Sequence, residues 1–170
     1  ETVKGITAGK VFFGDQVTLS IHTRKPPTDD VHFRRALAYA FDYEEGAEIF
    51  LGSTPSAGPI SAEIPGHDPN IFVYTQNLAK AQEELALSKY AANPAQYEVE
   101  VAWCAEVLDE EKVAILFASC AQQIGIKVKV TKVPWLSMIE LAASQEKSPN
   151  VMCFLPCTTY GEAASILRVK

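Results

Sequence analysis

The chain has 170 residues, 48% of them apolar and 21% charged, with a formal net charge of −6. That balance suits a folded domain with a substantial core and excludes a disordered chain. The acidic excess gives no reason to expect nucleic acid or an anionic membrane as partner, and no apolar run approaches the roughly 20 residues needed to cross a bilayer.

The chain opens on Glu1 rather than Met, so a processed or excised piece is expected. The lack of a basic-then-apolar leader then says little about compartment. Residues 1–16 read as a lead-in with one short strand at Lys10–Phe13. Val17, Leu19 and Ile21 alternate with Thr18, Ser20 and His22, the period of a half-buried strand. Pro26 and Pro27 stop it. Asp29 and Asp30 offer helix caps, and Val31–Leu51 is expected as one long helix, bent at Gly46 and ended by Gly52. Pro55, Gly58, Pro59, Pro65, Gly66 and Pro69 make 53–72 a long surface loop. Thr75 is expected to cap a helix to about Tyr90, with Leu78, Ala81, Leu85 and Leu87 inward.

Farther on, Tyr97–Trp103 alternates as a strand. Asp109–Ile124 is a helix with Val113, Leu116, Phe117, Cys120 and Ile124 on one face, stopped by Gly125. Ile126, Val128 and Val130 mark another strand, Trp135–Gln145 a short helix, and Val151–Leu155 a buried strand. A helical turn is expected at Glu162–Leu167. Alternation of this kind means an α/β layer fold with a mostly parallel sheet, here one domain over residues 1–170.

No catalytic set assembles along the chain. His22, His32 and His67 fall on a strand, a helix start and a loop, and no two share a metal-binding helix spacing. There is no nucleophile elbow, P-loop or dinucleotide fingerprint. Glu106, Asp109, Glu110 and Glu111 read as solvated acids opposing a helix dipole rather than an acid/base pair. Cys104, Cys120, Cys153 and Cys157 are readable as buried thiols, as disulfides in three pairings, or as metal ligands, although the Cys153/Cys157 spacing is not that of a zinc knuckle. A binding module without catalytic residue, metal or cofactor is expected. An enzyme or metal site built on the same layers is the rival.

Thr23-Arg24-Lys25-Pro26-Pro27, followed by the helix from Asp30 through Arg34-Arg35-Ala36-Leu37 to Asp42, resembles the signature of family 5 solute-binding proteins. Three further stretches agree in order: Pro55–Ile60 with Pro65–Pro69, Thr75–Leu85, and Gln122–Val128 with Trp135. The resemblance covers roughly residues 17–167. It implies a C-terminal lobe with a periplasmic-binding-protein type II-like fold, whose N-terminal lobe is absent. It further implies an extracytoplasmic protein that captures a peptide or similar solute in an inter-lobe cleft and delivers it to an ABC importer permease. An oligosaccharide-binding member and a ligand-sensing regulatory domain are the alternatives.

Ligands of open α/β sheets sit beyond the carboxyl ends of strands. Trp103 closes one strand and is readable either as a solute-stacking ring or as core; Trp135 is read as core. His22 stands where the family has Asn and joins the ligand-binding candidates. After the strand Val151–Leu155, peptide-binding members carry a G-W-x-x-D-Y motif whose Asp pairs with the peptide amino group. Here Pro156 stands for Trp, Thr159 for that Asp and Tyr160 for Tyr. An ammonium left buried without its carboxylate costs about 3–5 kcal/mol. The Thr158, Thr159 and Tyr160 hydroxyls instead suit an uncharged solute.

Overall fold

The alternation of Val17, Leu19 and Ile21 becomes strand β1 (Thr18–Ile21) in a computed structural model that describes residues 15–50, 52–155 and 163. The expected strand at 10–13 and the turn at 162–167 fall outside these residues, save Ala163. Beyond a cis Pro26–Pro27 bond, Asp30 caps α1 (Val31–Ala40), its carboxylate accepting the Phe33 N–H at 2.9 Å. Phe33, Ala36, Leu37 and Ala40 follow the i, i+3, i+4, i+7 stripe and are all buried.

The single long helix expected over 31–51 is two. Phe41 turns to extended backbone, and Asp42 caps a separate α2 (Tyr43–Glu48) by accepting the Glu45 N–H at 3.0 Å. The break therefore lies at 41–42 rather than at Gly46. A short polar side chain that can bond its own backbone competes with helix continuation. Gly46 has another use: a Cβ there would sit 3.1 Å from the Phe41 ring. α3 (Leu78–Leu87) likewise starts later than expected, because Asn77 and not Thr75 accepts the first-turn N–H of Lys80. Leu87, expected inward, is 66% exposed. α1 packs against α3, and Phe33 meets Tyr90 edge-on at 5.9 Å.

β2 (Val99–Cys104), α4 (Leu108–Gln123), β3 (Val128–Val133), α5 (Trp135–Ala142) and β4 (Val151–Phe154) follow in order. Gly125 ends α4 with φ +81°, a left-handed conformation that glycine takes without strain. The sheet order is β1-β4-β2-β3. β2 runs parallel to β3 and β4, while β1 lies antiparallel to β4 on the edge. This is the mostly parallel α/β sheet expected, with one antiparallel edge strand that the alternation of elements did not announce. Val99, Val101, Trp103, Val151 and Cys153 face the main core with α1 and α4. Ala102, Val133 and Met138 of α5 form a small second core on the opposite face. Cys104, Cys120 and Cys153 are buried free thiols, and burial pushes Cys153 up to about 12. Cys157 lies outside the described residues.

Phe33 is fully buried at the α1–α3 seam. Phe33→Ala is expected to lower the unfolding free energy by about 3–5 kcal/mol, measured by urea denaturation followed by circular dichroism.

Candidate functional site

Parallel pairing decides where any site can be. Trp103 stands opposite Cys153 on β4 and opposite Lys132 on β3, so β2, β3 and β4 all end on one edge. Two acids close that edge. Glu110, in the first turn of α4, is 1% exposed. Its two carboxylate oxygens accept the Cys104 N–H and the Leu155 N–H, each at 2.9 Å. Burial pushes its carboxyl above the usual carboxylate range, against the pull of those two N–H donors. Glu106, in the β2–α4 connection, accepts the Trp135 N–H at 3.0 Å and the Cys104 thiol at 3.1 Å. The Cys104 thiol above all, then the Glu106 and Trp135 backbone N–H groups and the Lys132 charge, hold the Glu106 carboxyl below its usual range.

Reading all four acids as solvated is thus corrected. Asp109 does face solvent, bridged to Lys112 at 2.7 Å. Glu110 instead heads the inward stripe of α4 with Val113, Ala114 and Phe117 at i+3, i+4 and i+7. That spacing was available as a signal. What the spacing lacks is the partner, a backbone N–H that arrives 45 residues later.

Of the ligand-binding candidates, Trp103 and His22 do not come together. Trp103 is 2% exposed within the main core, with the Lys132 ammonium 5.2 Å from its ring centre. This is the core alternative and not a free stacking face. Trp135 is the reverse, expected in the core and found 50% exposed at the start of α5.

His22 sits at the other end of the sheet. Its N–H donates to the Asn150 carbonyl at 2.8 Å, just before β4 begins. Its Nδ1 accepts the Arg24 N–H at 3.0 Å, which leaves the ring proton on Nε2 when the ring is neutral. β4 separates His22 from the Leu155 edge by its length, about 10 Å. His22 belongs instead to a locked turn. Asn150 donates to the Pro26 carbonyl at 2.9 Å and accepts the Glu100 N–H at 3.1 Å, and Lys25 donates to the Ser148 carbonyl at 2.7 Å.

Thr158, Thr159 and Tyr160 lie outside the described residues. Leu155, three residues before Thr158, is on the carboxyl edge with Glu110. Beside it opens a cavity of about 380 Å³ lined mainly by Val17, Leu19, Phe41, Tyr43, Phe50 and Leu155. His32, expected in solvent, is half-buried with Nδ1 2.7 Å from Glu84; His67 Nδ1 donates to the Ile60 carbonyl at 2.8 Å. Among the described residues no three His, Cys, Asp or Glu side chains are placed to hold a metal, and no helix is long and apolar enough to cross a membrane.

A lobe of this kind, with helices over a mostly parallel sheet and an antiparallel edge strand, is that of the type II-like periplasmic binding proteins. Residues 14–156 match the family model for bacterial extracellular solute-binding proteins, family 5 middle region, and the chain belongs to that family. No curated protein matches the sequence. Among solved structures, HbpA2 from Haemophilus parasuis is similar with a TM-score of 0.79 at 22% identity, covering 91% of this chain and 31% of that one. DppA from Helicobacter pylori, in complex with the peptide STSA, scores 0.75 at 18% identity over 91% of this chain and 29% of its own. AgaA from A. tumefaciens R10, in complex with agropinic acid, scores 0.72 at 24% identity over 90% and 31%. The chain therefore spans about a third of these solved relatives.

The two tryptophans differ enough to be told apart in solution. Trp135→Phe, which leaves only Trp103, is expected to give blue-shifted emission poorly quenched by acrylamide, and Trp103→Phe the opposite. Asn150→Ala orphans the part-buried Glu100 N–H and the Pro26 carbonyl, and about 1–3 kcal/mol of stability should be lost in a denaturant titration.

Proposed function

We propose that residues 1–170 form a single lobe of a two-lobed solute-binding protein that presents solute to an ABC importer permease outside the cytoplasm. The carrying observation is the shared edge at which β2, β3 and β4 end; Thr158, Thr159 and Tyr160 follow β4 in the sequence. Solute held between this wall and a second, N-terminal lobe favours the closed arrangement through contacts made only there. No covalent step is required of the chain.

The solute class follows from Thr159. Relatives with bound peptide and bound agropinic acid share this lobe fold, so the fold leaves the choice open. A threonine in place of the acid removes the counter-charge for a free peptide amino group. An uncharged solute such as an oligosaccharide, or a peptide held otherwise, is favoured, with Thr158, Thr159 and Tyr160 donating and accepting hydrogen bonds.

Calorimetry on the full-length protein with oligopeptides and oligosaccharides tests this. Binding of oligosaccharides or amino-blocked peptides, with free peptides at least about tenfold weaker, is the expected outcome. Equal or tighter binding of free peptides removes the argument from Thr159, and a protein that binds none of these solutes defeats the proposal. Thr159→Asp should shift preference toward free peptides by about tenfold, and Tyr160→Phe should weaken a bound sugar by about two- to tenfold.

A further inference from the structure

The sheet order leaves β3 on an edge, and among the described residues no strand pairs with its outer side. Two bonds define its inner side: the Lys127 and Val133 carbonyls accept the Val99 and Ala105 N–H groups at 2.9 and 2.8 Å. Bonds to a parallel neighbour recur at every second residue, so Lys127, Lys129, Thr131 and Val133 turn their backbone groups to β2. Val128, Val130 and Lys132 therefore turn their N–H and carbonyl groups outward. The strand contains neither proline nor glycine, the residues that interrupt pairing.

Lysines on an edge strand commonly repel further pairing. Here they lean back over the sheet. Lys127 reaches Glu98 at 2.9 Å, Lys129 reaches Glu100 at 3.5 Å, and the Lys132 ammonium lies over the Trp103 ring. The two flanks of the edge differ. On one, Val128 and Val130 pack toward the main core with α4. A groove of about 580 Å³ opens there, lined mainly by Ile115, Ala118, Ser119, Gln122, Ile126 and Val128. Ile115, although apolar, is 54% exposed. On the other flank stand Lys127 and Lys129.

β2 shows which chemistry suits these flanks. It turns Val99 and Val101 to the core side and Glu98 and Glu100 to the lysines. We propose that the outer edge of β3 docks an extended segment of a partner protein in which apolar and acidic residues alternate. Its main chain bonds the outward groups of Val128, Val130 and Lys132, as in strand addition to an open sheet edge. Its apolar side chains enter the groove beside Ile115, and its acids lie along Lys127 and Lys129. The charge fits: in a chain of net charge −6, residues 127–132 hold three lysines and no acid. A second copy fits poorly. Antiparallel pairing about Val130 would set Lys127 and Lys129 of both copies along one strip, where like charges repel. This docking needs no solute and no second lobe.

The probe is acetyl-EVEVEV-amide, added to the full-length protein. Titration against its fluorescein-labelled form, followed by anisotropy, is expected to saturate with a Kd below about 1 mM. Acetyl-KVKVKV-amide should bind at least about tenfold more weakly. Val130→Pro removes an outward N–H and spares the ladder to β2, and it should weaken the acidic peptide at least about tenfold. Ile115→Glu, on an exposed helix face, should do the same by placing a like charge in the groove. Hydrogen exchange is then read residue by residue by electron-transfer fragmentation. Without peptide, the Val130 and Lys132 amides should exchange at least about 100-fold faster than those of Lys129 and Thr131. With peptide they should slow by about tenfold or more. Slow exchange of Val130 and Lys132 without peptide overturns the proposal, because the edge is then already covered. So does a titration that does not saturate, or equal binding of the lysine peptide. Binding unchanged in Ile115→Glu, or in a Val130→Pro that folds, places the peptide elsewhere and overturns it as well. Sedimentation showing a dimer that Val130→Pro returns to monomer assigns the edge to a second copy and overturns the partner segment.

Discussion

Everything at the carboxyl edge depends on the parallel register that sets Trp103 beside both Lys132 and Cys153. Parallel strands must each be reached by a crossover, so their carboxyl ends collect on one side while the crossovers occupy the faces. That geometry leaves backbone donors at the strand ends without ladder partners, and buried donors have to be satisfied. Glu110 answers this for β2 and β4, and Glu106 for the start of α5. The edge is thereby closed by acceptors instead of by apolar side chains.

The amino edge solves the same problem with a neutral residue. Asn150 can both donate and accept, and it does both: it donates to the Pro26 carbonyl and the Thr28 hydroxyl and accepts the Glu100 N–H. Two prolines remove two N–H groups from the turn after β1, so the turn is held through its carbonyls and the Lys25 ammonium. His22 is part of this fastening. Its position at the family's Asn matches a place in the turn, and the structure puts it across the sheet from the exit of β4.

Helix boundaries show how local signals compete. Asp30 capped where expected, but Asp42 and Asn77 also capped, dividing one anticipated helix and delaying another. All three are short polar residues that accept from an N–H three positions on, and sequence offers several such residues near each start. Thr75 lost to Asn77 because the Asn77 N–H is itself held by the Tyr39 carbonyl at 2.7 Å, a contact between α1 and the start of α3. Tertiary contact chose between two adequate caps.

Alternation marked the strands at 17–21, 97–103 and 126–130 and 3.6-residue spacing the stripe of α4, both consequences of covalent geometry; a continuous apolar run marked the strand at 151–155 and Pro/Gly density the loop at 53–72, and together they gave the α/β class. The motif order was likewise legible, and residues 14–156 bear out the family. Which side chains share a space was decided only by the tertiary structure. Trp103 became core and Trp135 surface, though both sit at a strand–helix junction, since Trp103 lies on the sheet face that α1 and α4 cover while Trp135 opens α5 half exposed. Glu110 became a buried clamp because β4 returns beside β2 after a long excursion of chain, and no local pattern encodes a partner that distant.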